Sequence, residues 1–443
     1  MRSCLLILGG MFFAAMPAMA QVPADLPSSV QGQLPSLIET YKHLHQNPEL
    51  SHHEEKTSAY LGGELRKLGY TVTEHVGKYE DGTQAFGIVA VLENGAGPRL
   101  LIRSDMDALP VEEKTGLEYA STVKTTNAQG QNVSVMHACG HDIHITVLLG
   151  TAREMAARKS KWHGTLMLVG QPSEETIDGA KAMLTDHVYE RFGKPDLVLA
   201  EHVTNNFAAG TIAVKSGTLM AGATSVNVTI RGVGSHGSAP QTGKDPIVLA
   251  AEFILAAQTI VSRQIDPQTP AVVTVGTIHG GTKNNIIPEE VTMGLSLRSF
   301  SDEIRAKMVS ELDREAKGLA EGYGIPADRM PTVKVFENTP ATINDPGLNA
   351  KIRASGEAAL GKENVRDALP LMGSEDVGQF SLEGKIPAVM FWVGGADAQK
   401  LEESHRTGVS LPNNHSPLFA PVYEPTIRTG VTAVTAMALD ILK

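Results

Sequence analysis

Leu34, Leu37, Ile38, Tyr41 and Leu44 recur at the three- and four-residue spacing of a single helix face. The spacing predicts an amphipathic helix that stops at Asn47-Pro48, and a second helix is predicted through Leu61, Leu65 and Leu68. Short apolar runs at 85–92, 99–102, 165–169 and 197–200 read as buried strands, with helical stretches starting at Ile143 and Gly179 between them. Strands alternating with helices predict a mostly parallel, doubly wound α/β sheet.

The period changes near Ser225, where Val226, Val228 and Ile230 alternate as in a half-buried strand. A helix over 245–263, strands over 271–278 and 291–300, a helix over 301–322 and a strand over 332–336 follow, an order that predicts an α+β ferredoxin-like unit. The α/β pattern then resumes with a helix over 349–360, a strand over 388–393 and a last helix striped by Ile427, Val431, Val434 and Ile441. The expected organisation is a discontinuous catalytic domain, 37–218 with 338–443, interrupted by an inserted domain over 219–337. No internal repeat or low-complexity tract is apparent.

At the amino terminus Arg2 precedes an apolar run over 4–15 and then Ala18-Met19-Ala20. This is the pattern of a signal peptide over 1–20, cleaved after Ala20, and predicts an exported protein, periplasmic or secreted. No later run approaches the roughly 20 apolar residues of a membrane span, so no membrane anchor is expected after cleavage. Residues 21–36, rich in Pro and Ser, are expected to form an extended arm.

The formal charge of −11 excludes the basic surface that nucleic-acid binding requires and points to a small-molecule partner. Cys4 is lost with the leader, leaving Cys139 as a single thiol and excluding an internal disulfide.

Chemistry gathers at the expected strand ends, where open α/β sheets carry their sites. His137-Ala138-Cys139-Gly140-His141-Asp142-Ile143-His144 is dense in metal-ligand types, and a metal-bound thiolate explains one exported cysteine better than core packing does. Gln171-Pro172-Ser173-Glu174-Glu175 follows a predicted strand. Adjacent carboxylates are tolerable there if a cation neutralises one, leaving the other to work as a base. His202, after its strand, and His415, in Asn413-Asn414-His415-Ser416-Pro417, are further ligand candidates, each equally readable as a surface histidine. The run Gly232-Val233-Gly234-Ser235-His236-Gly237 fits a dinucleotide fingerprint but opens onto Pro240 and turn formers rather than a helix. A Gly-x-Ser-x-Gly elbow is absent from the sequence.

The ordered set Asn47-Pro48-Glu49-Leu50, Asp105-Met106-Asp107-Ala108-Leu109-Pro110, 137–144, 171–175, Gly234-Ser235-His236, Asn285-Ile286-Ile287-Pro288, Gly373-Ser374-Glu375-Asp376 and His415-Ser416-Pro417 resembles the M20 family of metallopeptidases and amidohydrolases, in its aminoacylase and hippurate hydrolase subgroup. Ser173 and Val377 depart from the family's usual alanine and phenylalanine, and neither change removes a ligand. The resemblance implies two divalent metal ions, with Cys139 bridging, His141 and His202 completing one site and Glu175 and His415 the other. It implies Glu174 as general base, Asp107 as a residue orienting a ligand, and an inserted lid and dimerisation domain. It further implies that His236 reaches the active site of the other subunit of a homodimer, where it stabilises the oxyanion.

Asn285 and Arg298 are candidate contacts to the substrate carboxylate or carbonyl, beside the structural readings of a turn and a strand-edge charge. His137, Asp142 and His144 are expected to support the site without binding metal. Mixed S, N and O ligands accept Zn, Mn, Co or Ni. The expected reaction is hydrolysis of an N-acyl amino acid or small peptide-like amide. Two rivals stay open: a thiol hydrolase using Cys139 with a histidine, and a non-catalytic metal or ligand binder, against which the presence of Glu174 weighs.

Overall fold

The structure is a computed structural model and describes residues 22–443. The expected signal peptide and its cleavage point lie outside the described residues. Eight strands form the main sheet in the order Thr71–Lys78, Gln84–Asn94, Gly164–Gln171, Arg99–Asp105, Leu197–Ala208, Ala388–Ala396, Ile212–Val214 and Val365–Asp367. The four central strands run parallel to one another, and antiparallel pairings flank them on both sides. Every residue of Gly164–Gln171 is buried, as expected where helices cover both faces of a parallel sheet.

Helices Leu26–Gln46, His141–Ala157, Pro346–Leu360 and Tyr423–Ile441 cover one face. Gly179–Thr185, Val188–Phe192 and the turn Val377–Ser381 pack around Met167, Val169 and Trp392 on the other. Thr71–Lys78, Ile212–Val214 and Val365–Asp367 carry no clear sequence period and were not expected as strands.

The expected extended arm is overturned. Helix Leu26–Gln46 takes in most of it, because the apolar stripe begins earlier than Leu34, at Leu26 and Val30, both fully buried. Pro27 lies in the first turn, where no amide donor is needed. Pro35 sits inside the helix and costs about 3 kcal/mol. Burying Leu26, Val30 and Leu34 offsets this at roughly 1.5–3 kcal/mol each.

From Gly222 to Thr339 the chain forms a separate antiparallel sheet in the order Ala271–Gly280, Glu290–Ser299, Gly222–Arg231 and Thr332–Thr339. Helices Pro246–Thr259 and Asp302–Gly322 pack on this sheet around a core of its own. The element order is the strand-helix-strand-strand-helix-strand read from the sequence. The glycine fingerprint opens no helix: Ser235–His236 pairs with Ile286–Ile287, and a short 3-10 turn, Pro240–Thr242, follows.

One expectation about membranes needs correcting. Pro246–Gln264, of 19 residues, is long and apolar enough to cross a bilayer by length and composition. Leu249, Phe253 and Ile260 on it are nevertheless buried in the small domain's core, so a packed helix carries the same composition as a span.

Candidate metal centre

The candidate metal ligands Cys139, His141, Glu175, His202 and His415, with Glu174, converge at the carboxyl ends of the parallel strands of the main sheet. Gly140 makes the turn that separates Cys139 from His141. Its φ is +85°, and a Cβ there would lie 2.3 Å from Val203 Cγ1, so only glycine fits the close approach. Helix His141–Ala157 then starts with His141 fully buried. On the neighbouring strand end, Ser173 adopts φ +53°. That bend is held by Glu54, whose carboxylate accepts from the Ser173 amide at 2.8 Å and from its hydroxyl at 3.0 Å.

The bend aims two successive amides at one carboxylate. Asp107 Oδ1 accepts from Glu174 N at 3.1 Å, and Oδ2 accepts from Glu175 N at 3.0 Å and from Ser51 Oγ at 2.6 Å. The Asp107 carbonyl lies 2.8 Å from His141 Nδ1, which leaves His141 Nε2 to face the site. His202, expected just beyond its strand, lies within it, since pairing continues to Ala208. Its Nδ1 is 2.8 Å from the Val203 carbonyl and its Nε2 is 3.5 Å from Cys139 Sγ. His415 stands exposed at the mouth, with Nε2 3.4 Å from Glu175 Oε2. Its loop is tied down by the His415 amide donating to the Ala138 carbonyl at 2.8 Å and by Asn414 Nδ2 donating to the carbonyls of Cys139 and Val203 at 3.0 and 3.1 Å.

The donor set fits a divalent cation. Cys139 Sγ, His141 Nε2 and a Glu175 oxygen lie within 4.8 Å of one another, and His141 Nε2 and Glu175 Oε1 are buried without a hydrogen-bond partner. Buried polar atoms left unpaired are costly unless something else satisfies them. Electrostatics points the same way. Burial, then Glu175 and Glu174, pushes the Cys139 thiol well up. Burial, then Glu375 and Glu175, holds the Glu174 carboxyl well above the usual range, and burial raises Glu175 to about 8 against the pull of His141. A thiolate and two carboxylates here require added positive charge.

Two other groupings of ligand-type side chains are already satisfied. Asp105 and His144 join His141 and His202 within the same distance, but His144 Nδ1 is 2.6 Å from Asp105 Oδ1 and His144 Nε2 accepts from Val203 N at 2.8 Å. Glu375 and Asp376 approach Glu174, yet both pair with the fully buried Arg103 at 2.7 and 3.0 Å, and Arg103 also holds Asp105 at 2.6 Å. Sequence reading passed over Arg103, although a lone arginine after Leu100, Leu101 and Ile102 in a buried strand was a visible signal. Asp142 is held by His45, 2.7 Å away. His137 is buried, and that burial lowers it to about 4.

A cavity of about 390 Å3 opens over the cluster, with Cys139, Glu174, Glu175, His202 and His415 in its wall. Arg298 also lines it. Burial lowers the Arg298 pKa with no acidic group acting on it, and none of the ion pairs among the described residues involves it. His236 and Asn285 are not part of this wall. His236 is exposed on the small sheet's flank, where the Ser238 hydroxyl lies 2.7 Å from its Nδ1, and the Asn285 carbonyl accepts from the Gly237 amide at 2.8 Å.

Residues 101–412 match the model of Peptidase family M20/M25/M40. The chain is 34% identical over 406 residues to Thermostable carboxypeptidase 2 of Saccharolobus solfataricus, covering 91% of this chain and 94% of that one. It is 36% identical over 342 residues to the hippurate hydrolase of Campylobacter jejuni, covering 76% and 82%. Among solved structures it resembles the Bacillus subtilis YXEP protein, described as a dinuclear metal binding peptidase from the M20 family. The TM-score is 0.72 at 26% identity, over 93% of this chain and 99% of that one.

Proposed function

From the premise that this chain belongs to peptidase family M20/M25/M40 and is a hydrolase of that family, we propose that it cleaves the amide bond of N-acyl amino acids or related small peptide-like amides. The observation that carries this is the meeting of Cys139, His141 and Glu175 around unpaired ligand atoms, with His202 and His415 in reach and Glu174 beside them. Cys139, His141 and His202 would hold one divalent ion, and Cys139, Glu175 and His415 a second. Bound ions of this kind polarise a carbonyl and acidify water.

Glu174 is the general base. It is buried at the cavity wall, takes the proton of the attacking water on its carboxylate and delivers it to the leaving nitrogen. Asp107 fixes the 174–175 turn and, through its carbonyl, the imidazole of His141. Arg298, in no ion pair among the described residues, anchors the substrate carboxylate, and Asn285 is a second substrate contact.

The inserted unit is the lid and the dimer contact. Its edge strand Ala271–Gly280 has one side unpaired among the described residues, and Leu255, 70% exposed, Ile247 and Ile278 leave apolar surface beside it. His236 of one subunit then serves the partner's site. The leader pattern over 1–20 supports export, periplasmic or secreted, as part of this reading.

The 3.5 Å approach of His202 to Cys139 favours one rival, a thiol nucleophile. Removing metal decides between them: chelation abolishes hydrolysis and added Zn, Mn, Co or Ni restores it. An enzyme fully active when verified metal-free, yet blocked by thiol alkylation, establishes the rival instead.

A further inference from the structure

A second cavity, of about 730 Å3, adjoins the candidate metal cavity and shares Asn206, Leu371 and Trp392 with it. Its other apolar walls are Phe207 at the end of strand Leu197–Ala208, Leu369, and Leu401 on helix Ala398–Thr407. Trp392 is 4% exposed, and its ring stands 5.4 Å from that of His202. One side chain therefore bridges a metal-ligand candidate and the apolar space. Leu369 is 80% exposed, and an occupant of the cavity would remove part of that apolar surface from water. No residue between 222 and 339 lines this cavity, whereas Arg298 of that segment lines the metal cavity.

We infer that the second cavity receives the acyl group of the substrate, and that long aliphatic or aromatic N-acyl amino acids are preferred over N-acetyl ones. This rests on the amide-hydrolase reading above. The scissile carbonyl sits at the metal cluster, and the amino-acid carboxylate is drawn to Arg298 on the inserted sheet. The acyl group is the portion on the far side of the carbonyl. It carries no charge, and the neighbouring space offers it the apolar wall of Phe207, Leu369, Leu371, Trp392 and Leu401, with Arg366, Asp367 and His405 also on the cavity lining. Each methylene fully buried there contributes about fourfold to kcat/KM.

The test uses the metal-loaded full chain and N-acyl methionines from acetyl to octanoyl, together with the benzoyl compound. Between acetyl and hexanoyl, kcat/KM is expected to rise on the order of a hundredfold. Leu369→Asp and Leu401→Glu, at positions outside the main core, are expected to collapse the hexanoyl-to-acetyl ratio at least tenfold. A flat acyl series in the wild type, an unchanged ratio in both variants, or a length dependence that follows the amino-acid side chain instead overturns the assignment. Binding of the same compounds to Glu174→Gln by calorimetry separates the two readings. Affinity rising with acyl length and lost in Leu369→Asp, without hydrolysis by the parent, keeps the subsite and sinks the hydrolase; hydrolysis without any length dependence does the reverse.

Discussion

His144 and Asp105 form a buried pair, Nδ1 to Oδ1 at 2.6 Å, and the opposite nitrogen of His144 accepts the Val203 amide at 2.8 Å. An acceptor at Nε2 means that the neutral ring carries its proton on Nδ1, facing the carboxylate. Val203 is thereby fixed, and its carbonyl in turn meets His202 Nδ1 at 2.8 Å and Asn414 Nδ2 at 3.1 Å. One histidine thus sets the orientation of another that points at Cys139.

His144→Ala is therefore expected to weaken metal binding about 10- to 100-fold, the usual loss when a partner of a ligand is removed. His144→Gln, which can still accept from Val203, should recover part of it. Metal titration of the apoprotein reads both. Equal affinity in the wild type and His144→Ala would show that Val203 needs no such clamp.

Glu174→Gln is expected to retain normal metal content while kcat falls by about 10²- to 10⁴-fold or more. Glu175→Gln should lose metal, since its oxygens face His141 and His415. Metal analysis beside kinetics separates the neighbours, and equal metal loss in both rejects the division of labour.

His45 lies between Asp142 and Glu113, at 2.7 and 3.1 Å, with the rings of Tyr41 and Tyr119 against it and the buried His137, held neutral by burial, nearby. Burial works to lower its pKa, but hydrogen bonds to Asp142 and Glu113 raise it to about 9. A folded value above the unfolded one stabilises the protein fully below about pH 6.5. That contribution, roughly 3 kcal/mol, is lost as pH rises through about 9. Denaturant midpoints measured from pH 6 to 9.5 should fall in the wild type and stay flatter in His45→Gln. Parallel curves would contradict the pairing.

His236→Ala is expected to lower turnover about 10²- to 10³-fold without disturbing metal content. Mixed with Glu174→Gln subunits, it should regain activity, because one site of the heterodimer then has both groups intact. Confirmed heterodimers as inactive as their parents would return His236 to a local role beside Ser238.

The sequence by itself determined the alternation of strands and helices, the strand-helix-strand-strand-helix-strand insert, and the residue types of the candidate metal site. Each of these is written in short-range period or in adjacent residues: 137–144 and 171–175 are local runs, and side-chain type alone limits what they can bind. Tertiary structure decided what depends on distant partners. Leu26 and Val30 made helix of a proline-containing arm because a core was there to bury them. Arg103 became the counter-charge for Asp105, Glu375 and Asp376, and His144 the clamp on Val203, because sheet register brings together residues as many as 273 positions apart. Local pattern encodes hydrogen bonding within an element and the face it buries. Which buried charge meets which is fixed only when the strands are laid side by side, since an unpaired charge there is too costly to leave alone.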